Sequence, residues 1–120
     1  MSKYKNKKTT VFGIPFDSKR EAERYLILRT LERQGVIKDL RLQVRYELIP
    51  EQREPDTIGP RGEVKKGKVI EKACNYVADF VYVDNQGNEI VEDAKGVRTK
   101  EYRIKKKLML WVHKIKIKES

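Results

Sequence analysis

The sequence has few cysteines and no long apolar run, and each absence excludes a class of protein. The single cysteine, Cys74, cannot form an intramolecular disulfide framework, and no C-x-x-C pair or Cys/His cluster suggests a zinc site. The basic N-terminal segment is not followed by an apolar stretch that could serve as a signal peptide or span a membrane. These absences predict a soluble protein of the reducing cytoplasm that does not enter a membrane.

Positive charge is abundant and unevenly distributed. The chain has 28 Lys and Arg residues against 18 Asp and Glu, which gives a net charge of +10 and a pI of about 9.7. Basic residues crowd the N-terminus and the segment 98–118, where Glu101 is the only acid. A clustered positive field attracts polyanions, so the distribution predicts a nucleic-acid partner. The alternative is that excess lysine only keeps the protein soluble.

Hydrophobic periodicity and turn residues predict a single α/β domain over residues 1–120. Ser18 and Glu21 have the spacing of a capping box at the start of a helix, and Thr99 is a plausible N-cap for a second helix. The predicted order is a basic tail (1–12), a helix (18–34), a strand (42–49), a long flexible loop or arm (50–67), a β-rich run (68–83), a turn (84–88), a strand (89–95), a helix (100–112) and an edge strand (113–118).

Asp79 is the most informative residue because it lies inside an otherwise apolar strand segment, 76–83. A carboxylate is costly to bury without a cation or several hydrogen-bond donors. A five-residue turn over 84–88 places Asp79 directly opposite Asp93 on the returning strand, with Lys95 on the same face as Asp93. Facing carboxylates repel each other unless a positive group lies between them. The alternative is an ordinary surface hairpin in which Asp79 and Lys95 form an ion pair.

Two carboxylates and a lysine on one face suit metal-assisted phosphodiester hydrolysis. A hard cation such as Mg²⁺, for which Mn²⁺ can substitute, takes carboxylate oxygens as ligands, polarises a phosphate and lowers the pKa of a bound water. The lysine can orient or deprotonate that water. Asp79, Asp93 and Lys95 are therefore the predicted catalytic residues.

The spacing of Asp79 and Asp93-Ala94-Lys95 resembles the bipartite motif of the PD-(D/E)XK nuclease superfamily, with Ala78 in place of the proline. The element order is similar to the restriction-endonuclease-like αβββαβ core of that superfamily, a central mixed sheet flanked by helices, over residues 16–118. The chain more closely resembles a phage- and prophage-encoded family catalogued as a domain of unknown function, through the patterns at 16–25, 76–82 and 91–96. The resemblance implies a DNA endonuclease of phage DNA metabolism, similar to small Holliday junction resolvases that cut branched DNA, in the cytoplasm of a bacterial host.

Further residues are assigned by the resemblance, each against a simpler role. Glu21 is predicted as an additional metal ligand, although the capping box competes for its side chain. Gln43 could orient a water or a phosphate, or be an ordinary exposed strand residue. Lys105 could reach the scissile phosphate, or only extend its side chain past the core. Glu92 could replace Asp93 if the strand contained a bulge. The residues predicted to contact DNA phosphates are Arg98, Lys100, Lys106 and Lys107.

Two broader expectations complete the prediction. A basic nucleic-acid-binding module without catalysis would use the same cations but would give no role to Asp79 and Asp93. Junction cleavage would require two active sites related by two-fold symmetry, so a homodimer is a possible assembly. His113, the only histidine, is predicted to be structural.

Overall fold

The computed structural model describes residues 8–94 and 97–120 and contains two helices and ten strands within those ranges. In chain order the elements are β1 (Thr9–Val11), β2 (Ile14–Phe16), α1 (Lys19–Arg33), β3 (Lys38–Ile49), β4 (Gln52–Arg53), β5 (Thr57–Ile58), β6 (Val64–Lys65), β7 (Val69–Glu71), β8 (Cys74–Val83), β9 (Glu89–Asp93), α2 (Lys100–His113) and β10 (Lys118–Glu119).

A four-stranded mixed sheet is the centre of the fold. Its strand order is β10-β9-β8-β3, in which β8 is antiparallel to both β3 and β9, and β10 runs parallel to β9. Along the chain, the elements that build this sheet and its two helices follow the order helix, three strands, helix, strand. The predicted α/β class with a central mixed sheet is confirmed.

Helix α1 begins as its sequence predicts. Ser18 is extended at the N-cap, and its hydroxyl accepts a hydrogen bond from the backbone N–H of Glu21 at 3.1 Å. The helix ends at Gln34, before Gly35, which adopts a φ of +76°. Its buried face is narrow, because Leu26 and Ile27 are 42% and 51% exposed.

The hairpin β8–β9 has the predicted register. The turn is closed by the N–H of Asp84, which donates to the carbonyl of Asn88 at 2.9 Å. Cross-strand partners then run from Val83 and Glu89 to Phe80 and Glu92 without a register shift. Strand β9 ends at Asp93, two residues earlier than predicted, and Lys95 lies outside the described residues.

The sheet serves two hydrophobic cores, and β3 and β8 change faces between them. Leu42 packs in the core under α1, whereas Val44 packs in the core under α2, although a regular strand would point both to one face. Phe80 and Ala78 on β8 divide between the two cores in the same way. The change occurs at Gln43, whose backbone is left-handed (φ +53°), and at Asp79, which the register places opposite it.

The segment predicted as a long flexible loop or arm (50–67) forms a β-ribbon together with residues 68–73, and we call the ribbon the arm (50–73). It consists of two short antiparallel pairs, β4 with β7 and β5 with β6, and nearly all of its residues are exposed. Between the two pairs, a Cβ on Gly67 would lie 1.8 Å from the backbone oxygen of Glu54, so only glycine fits there.

Two predicted termini differ from the structure. Thr9–Val11, predicted as part of the tail, form β1 and pair with β2, while residues 1–7 lie outside the described residues. Only Lys118–Glu119 of the C-terminal segment form a strand, so the predicted edge strand over 113–118 is wrong in extent. Lys114 turns left-handed (φ +60°), and the chain needs the next residues to reach the parallel position beside β9. No helix in the described part of the chain is long and apolar enough to cross a membrane.

Candidate functional site

Within the ranges 8–94 and 97–120, four charged residues are buried, and all four are acidic. Glu21, Asp79, Glu92 and Asp93 have exposed fractions of 6%, 8%, 0% and 1%. They come from α1, β8 and β9. Glu92 is bound by Arg24 of α1, whereas Glu21 is linked to Asp79 through Gln43, and Asp79 also accepts from the backbone beside Asp93. Buried carboxylates are costly in any protein and call for specific compensation, most of all in a chain whose net charge is +10.

Glu21 and Asp79 meet at the amide of Gln43. The Nε2 atom of Gln43 donates to Oε1 of Glu21 at 3.0 Å and lies 3.4 Å from Oδ1 of Asp79. Glu21 and Ala22 are both buried in the first turn of α1, so this turn packs against the rest of the protein and holds the Glu21 carboxylate inside. The left-handed backbone of Gln43 lets its side chain point to this group while Leu42 and Val44 enter different cores.

Asp93 lies next to Asp79 through the hairpin. The backbone N–H of Ala94 donates to Oδ2 of Asp79 at 2.9 Å, and the hydroxyl of Tyr76 donates to Oδ2 of Asp93 at 2.6 Å. Burial, this hydrogen bond and the charges of Asp93 and Asp79 raise the pKa of Tyr76 above its ordinary value. The charges of two carboxylates therefore act on one tyrosine hydroxyl.

The Glu92 side chain points to the α1 side of the sheet, opposite to that of its neighbour Asp93, and has a structural role. Arg24 of α1 donates to both of its carboxylate oxygens, at 2.6 and 2.9 Å, and Tyr82 and Ser120 donate to it at 2.7 and 2.9 Å. Burial alone would raise the pKa of Glu92, but the hydrogen bonds from Arg24, Tyr82 and Ser120 outweigh burial and hold that pKa below its ordinary value. The strand has no bulge here, so Glu92 does not take the place of Asp93, and its charged partner is Arg24.

The remaining predicted site residues are placed unevenly. Lys95, the predicted partner of the attacking water, lies outside the described residues. Lys105 forms an ion pair with Glu101 one turn back on α2, at 3.1 Å. A cavity of about 250 Å³ is lined by Glu21 and Gln43, together with residues 14–17 and Leu42, and it is not lined by Asp79 or Asp93.

The basic residues predicted to contact DNA divide into two groups. Arg98 and Lys106 bind the carboxylate of Glu119, at 2.6 and 2.9 Å, and Lys106 is the main cause that lowers the pKa of Glu119 to about 2. Lys100 and Lys107 are exposed on α2. The structure thus gives the first two an intramolecular partner and presents the other two to solvent.

The donor chemistry of the group suits a hard cation, although the described part of the chain forms no complete cage. Carboxylate oxygens of Glu21 and Asp79 face one amide group, and Mg²⁺ is often held by only one or two protein carboxylates with waters and substrate phosphates. Within residues 8–94 and 97–120, no three His, Cys, Asp or Glu side chains are arranged as a metal site. Two carboxylates and one amide are the ligands that the described residues bring together.

Sequence reasoning missed two features of the site. It placed Gln43 on the polar face of a regular strand, whereas the residue adopts a left-handed backbone. Glycine or asparagine at this position would have indicated such a backbone, but glutamine does not. It also did not pair Arg24 with Glu92, because 68 residues separate them and helix charge patterns carry no information on sheet contacts. The apolar surroundings of Glu92 on β9 are the only local signal that its charge needs a partner.

A family model described as "Protein of unknown function (DUF1064)" matches residues 1–118. The chain therefore belongs to this family. No curated protein and no solved structure matches the chain.

Proposed function

We propose that this member of the family is a Mg²⁺- or Mn²⁺-dependent DNA endonuclease that acts on branched DNA. The observation that carries the proposal is the convergence of the buried Glu21 and Asp79 carboxylates on one amide, with Asp93 beside them. In a protein with a net charge of +10, acids buried around one point are best explained by a cation that they bind.

The amide of Gln43 marks the position for that cation. Its NH₂ group is within 3.4 Å of oxygens from both carboxylates, and rotation of the amide by half a turn would present its oxygen instead. Glu21 and Asp79 would hold the metal at this amide, and Asp93 is the third ligand that the sequence motif assigns. The bound metal would polarise a phosphate and lower the pKa of a water. Gln43 would orient the water or the phosphate, and the sequence motif assigns proton transfer at the attacking water to Lys95.

The basic surface supports DNA as the substrate. Lys100 and Lys107 are exposed on α2, and their charges can neutralise phosphates without reading sequence. Arg98 and Lys106 could join them by exchanging Glu119 for phosphate, and Lys105 could exchange Glu101 in the same way. The preference for branched or junction DNA, the role in phage DNA metabolism and a homodimeric assembly rest on the resemblance to small Holliday junction resolvases.

A cleavage assay with matched glutamate variants tests the proposal. Purified protein is incubated with labelled duplex, flap, single-stranded and four-way junction DNA in Mg²⁺ or Mn²⁺, and cleavage of a branched substrate is expected. Glu21→Gln should lower the rate by about a hundredfold or more because a metal ligand is weakened. Glu23→Gln, a change to an exposed residue of the same helix, should leave the rate unchanged.

Metal binding is checked separately by thermal unfolding. Mn²⁺ should raise the melting temperature of the wild type but not that of Asp79→Asn, because a ligand that binds only the native state stabilises it. If every DNA substrate stays intact and Mn²⁺ has no effect on unfolding, the endonuclease proposal fails. The basic surface would then belong to a nucleic-acid-binding module without catalysis.

A further inference from the structure

The solvent-facing side of α2 has an unusual alternation of charge and apolar surface. Five exposed residues, spaced three or four positions apart, form one line along the helix, which we call the crest. The crest consists of Lys100, Ile104, Lys107, Trp111 and Lys114. Each of its two apolar residues is flanked by lysines on both sides.

The crest is turned away from the sheet. Tyr102 and Met109, on the opposite side of α2, are buried at 3% and 0% exposure, whereas Ile104 and Trp111 are 57% and 75% exposed. Isolated exposed apolar residues are common, but a tryptophan with three-quarters of its surface in solvent is unusual for a folded domain. Its position between two lysines suits a partner that is both apolar and anionic.

The C-terminal end of the crest is held in place around the tryptophan ring. The Nζ atom of Lys114 lies 5.0 Å from the ring centroid of Trp111 and donates to its backbone carbonyl at 3.0 Å. Lys114 is the C-cap of α2 and has a left-handed backbone (φ +60°), a conformation that is unfavourable for a non-glycine residue and that glycine adopts freely. A lysine at a position suited to glycine points to a use for its ammonium group.

We propose that the crest binds a single-stranded segment of nucleic acid, with a base stacked on Trp111 and phosphates paired with Lys107 and Lys114. Combined aromatic platforms and cations are the means by which proteins hold unpaired strands. The inference deepens the proposed function, on which its biological meaning rests, because branched DNA offers unpaired bases next to duplex arms.

Charge complementarity selects this occupant over two others. In a two-fold antiparallel pairing of crests, Ile104 of one copy would meet Trp111 of the next, but the two Lys107 ammonium groups would face each other at the centre. A membrane surface would need a continuous apolar face, which Lys107 interrupts. A single strand provides phosphates and flat apolar bases in alternation, as the crest does.

The chain's single tryptophan makes a direct test possible. The full protein is titrated with an oligothymidylate in EDTA, so that cleavage does not interfere, and the intrinsic fluorescence of Trp111 is followed. Stacking of a base should quench and shift the emission at the same strand concentrations at which the anisotropy of a labelled strand rises. Binding should weaken with added salt because phosphate contacts release counterions.

Three crest variants and one control separate binding from folding. Trp111→Ala should weaken binding of the oligothymidylate by about tenfold or more, and Trp111→Phe should weaken it less, because phenylalanine retains a stacking face. Lys114→Gly should also weaken binding while raising the melting temperature, since glycine relieves the left-handed backbone. Lys19→Gln, at an exposed lysine of α1, should change neither.

Two results would overturn the inference. One is strand binding with unchanged Trp111 fluorescence and wild-type affinity in Trp111→Ala. The other is a fluorescence change that depends on protein concentration or on anionic vesicles but not on the strand, which would assign the crest to self-association or to a membrane. Failure of the proposed function is distinguishable, because a protein that binds the strand through Trp111 but never cleaves DNA keeps this inference and loses the other.

Discussion

Glu92 and Asp93 are adjacent acids on β9 that both accept a tyrosine hydrogen bond but differ in their contact with arginine. Each accepts a hydrogen bond from a tyrosine hydroxyl of β8, Tyr82 at 2.7 Å for Glu92 and Tyr76 at 2.6 Å for Asp93. Only Glu92 also receives a two-pronged hydrogen bond from an arginine. Strand alternation sends the two side chains to opposite faces, so one peptide bond separates two different environments.

The difference teaches how a buried acid can be assigned a role. Glu92 is compensated by Arg24, Tyr82 and Ser120, and these contacts tie α1 and the C-terminal segment to the sheet. Asp93 instead accepts a hydrogen bond from Tyr76, and burial, this hydrogen bond and the charges of Asp93 and Asp79 raise the pKa of that tyrosine. We therefore expect changes to Glu92 to affect stability and changes to Asp93 to affect the proposed cleavage.

The largest effect is expected when the acid at position 93 is replaced by its amide, and the same change at position 92 is the comparison. Asp93→Asn should reduce DNA cleavage on the order of a thousandfold, because the proposed site loses a negative oxygen ligand. Glu92→Gln should retain cleavage within about tenfold at temperatures where the variant stays folded. Single-turnover rates on a junction substrate measure both, and equal losses in the two variants would contradict the comparison.

The next effect concerns the ion pair itself. Arg24→Met should lower the free energy of unfolding by about 3–5 kcal/mol, since it leaves the Glu92 carboxylate buried without its cation. The double change Arg24→Met with Glu92→Met should recover much of that loss, because apolar side chains of similar size can replace a buried pair. Urea denaturation measures the three variants, and a double variant as unstable as the single one would show that Arg24 acts through other contacts.

The smallest effect is the dependence of stability on acid pH. The pKa of Glu92 is lower in the folded protein than its ordinary value of 4.5, so its contribution to stability is present above that value and is lost as pH falls through the folded pKa. The wild type should therefore lose more stability below pH 4.5 than Glu92→Gln does. Thermal unfolding at a series of pH values checks this, and parallel curves for the two proteins would exclude Glu92 as a source of acid sensitivity.

Local chemistry made part of this structure predictable. The cap at Ser18, the cap at Thr99 and the five-residue turn before Glu89 depend on neighbouring residues, and all three are present as predicted. Because a hairpin's turn sets its register, the position of Asp79 relative to Asp93 followed from counting residues. The arm was harder, since its residues could equally describe a loop.

Contacts between distant segments were not predictable in the same way. Arg98 and Lys106 were expected to contact DNA, yet both form ion pairs with Glu119 of β10. That contact depends on a parallel strand of only two residues, whose position follows from packing in the core under α2. The ion pair of Arg24 likewise depends on the orientation of α1 on the sheet. Charge patterns along one segment contain no record of such partners.

The change of faces at Gln43 and Asp79 has a consequence for how substitutions combine. Leu42 and Phe80 pack in one core and Val44 and Ala78 in the other, so the two cores share strands but not side-chain neighbours. The energetic effects of substitutions in different cores should therefore add, whereas a backbone change at Gln43 acts on both cores at once. The carboxylates of Glu21 and Asp79 meet at this crossing point, at the amide of Gln43. Each core can consequently accumulate substitutions separately, with the spacing of the acidic groups preserved as long as the crossing point itself is unchanged.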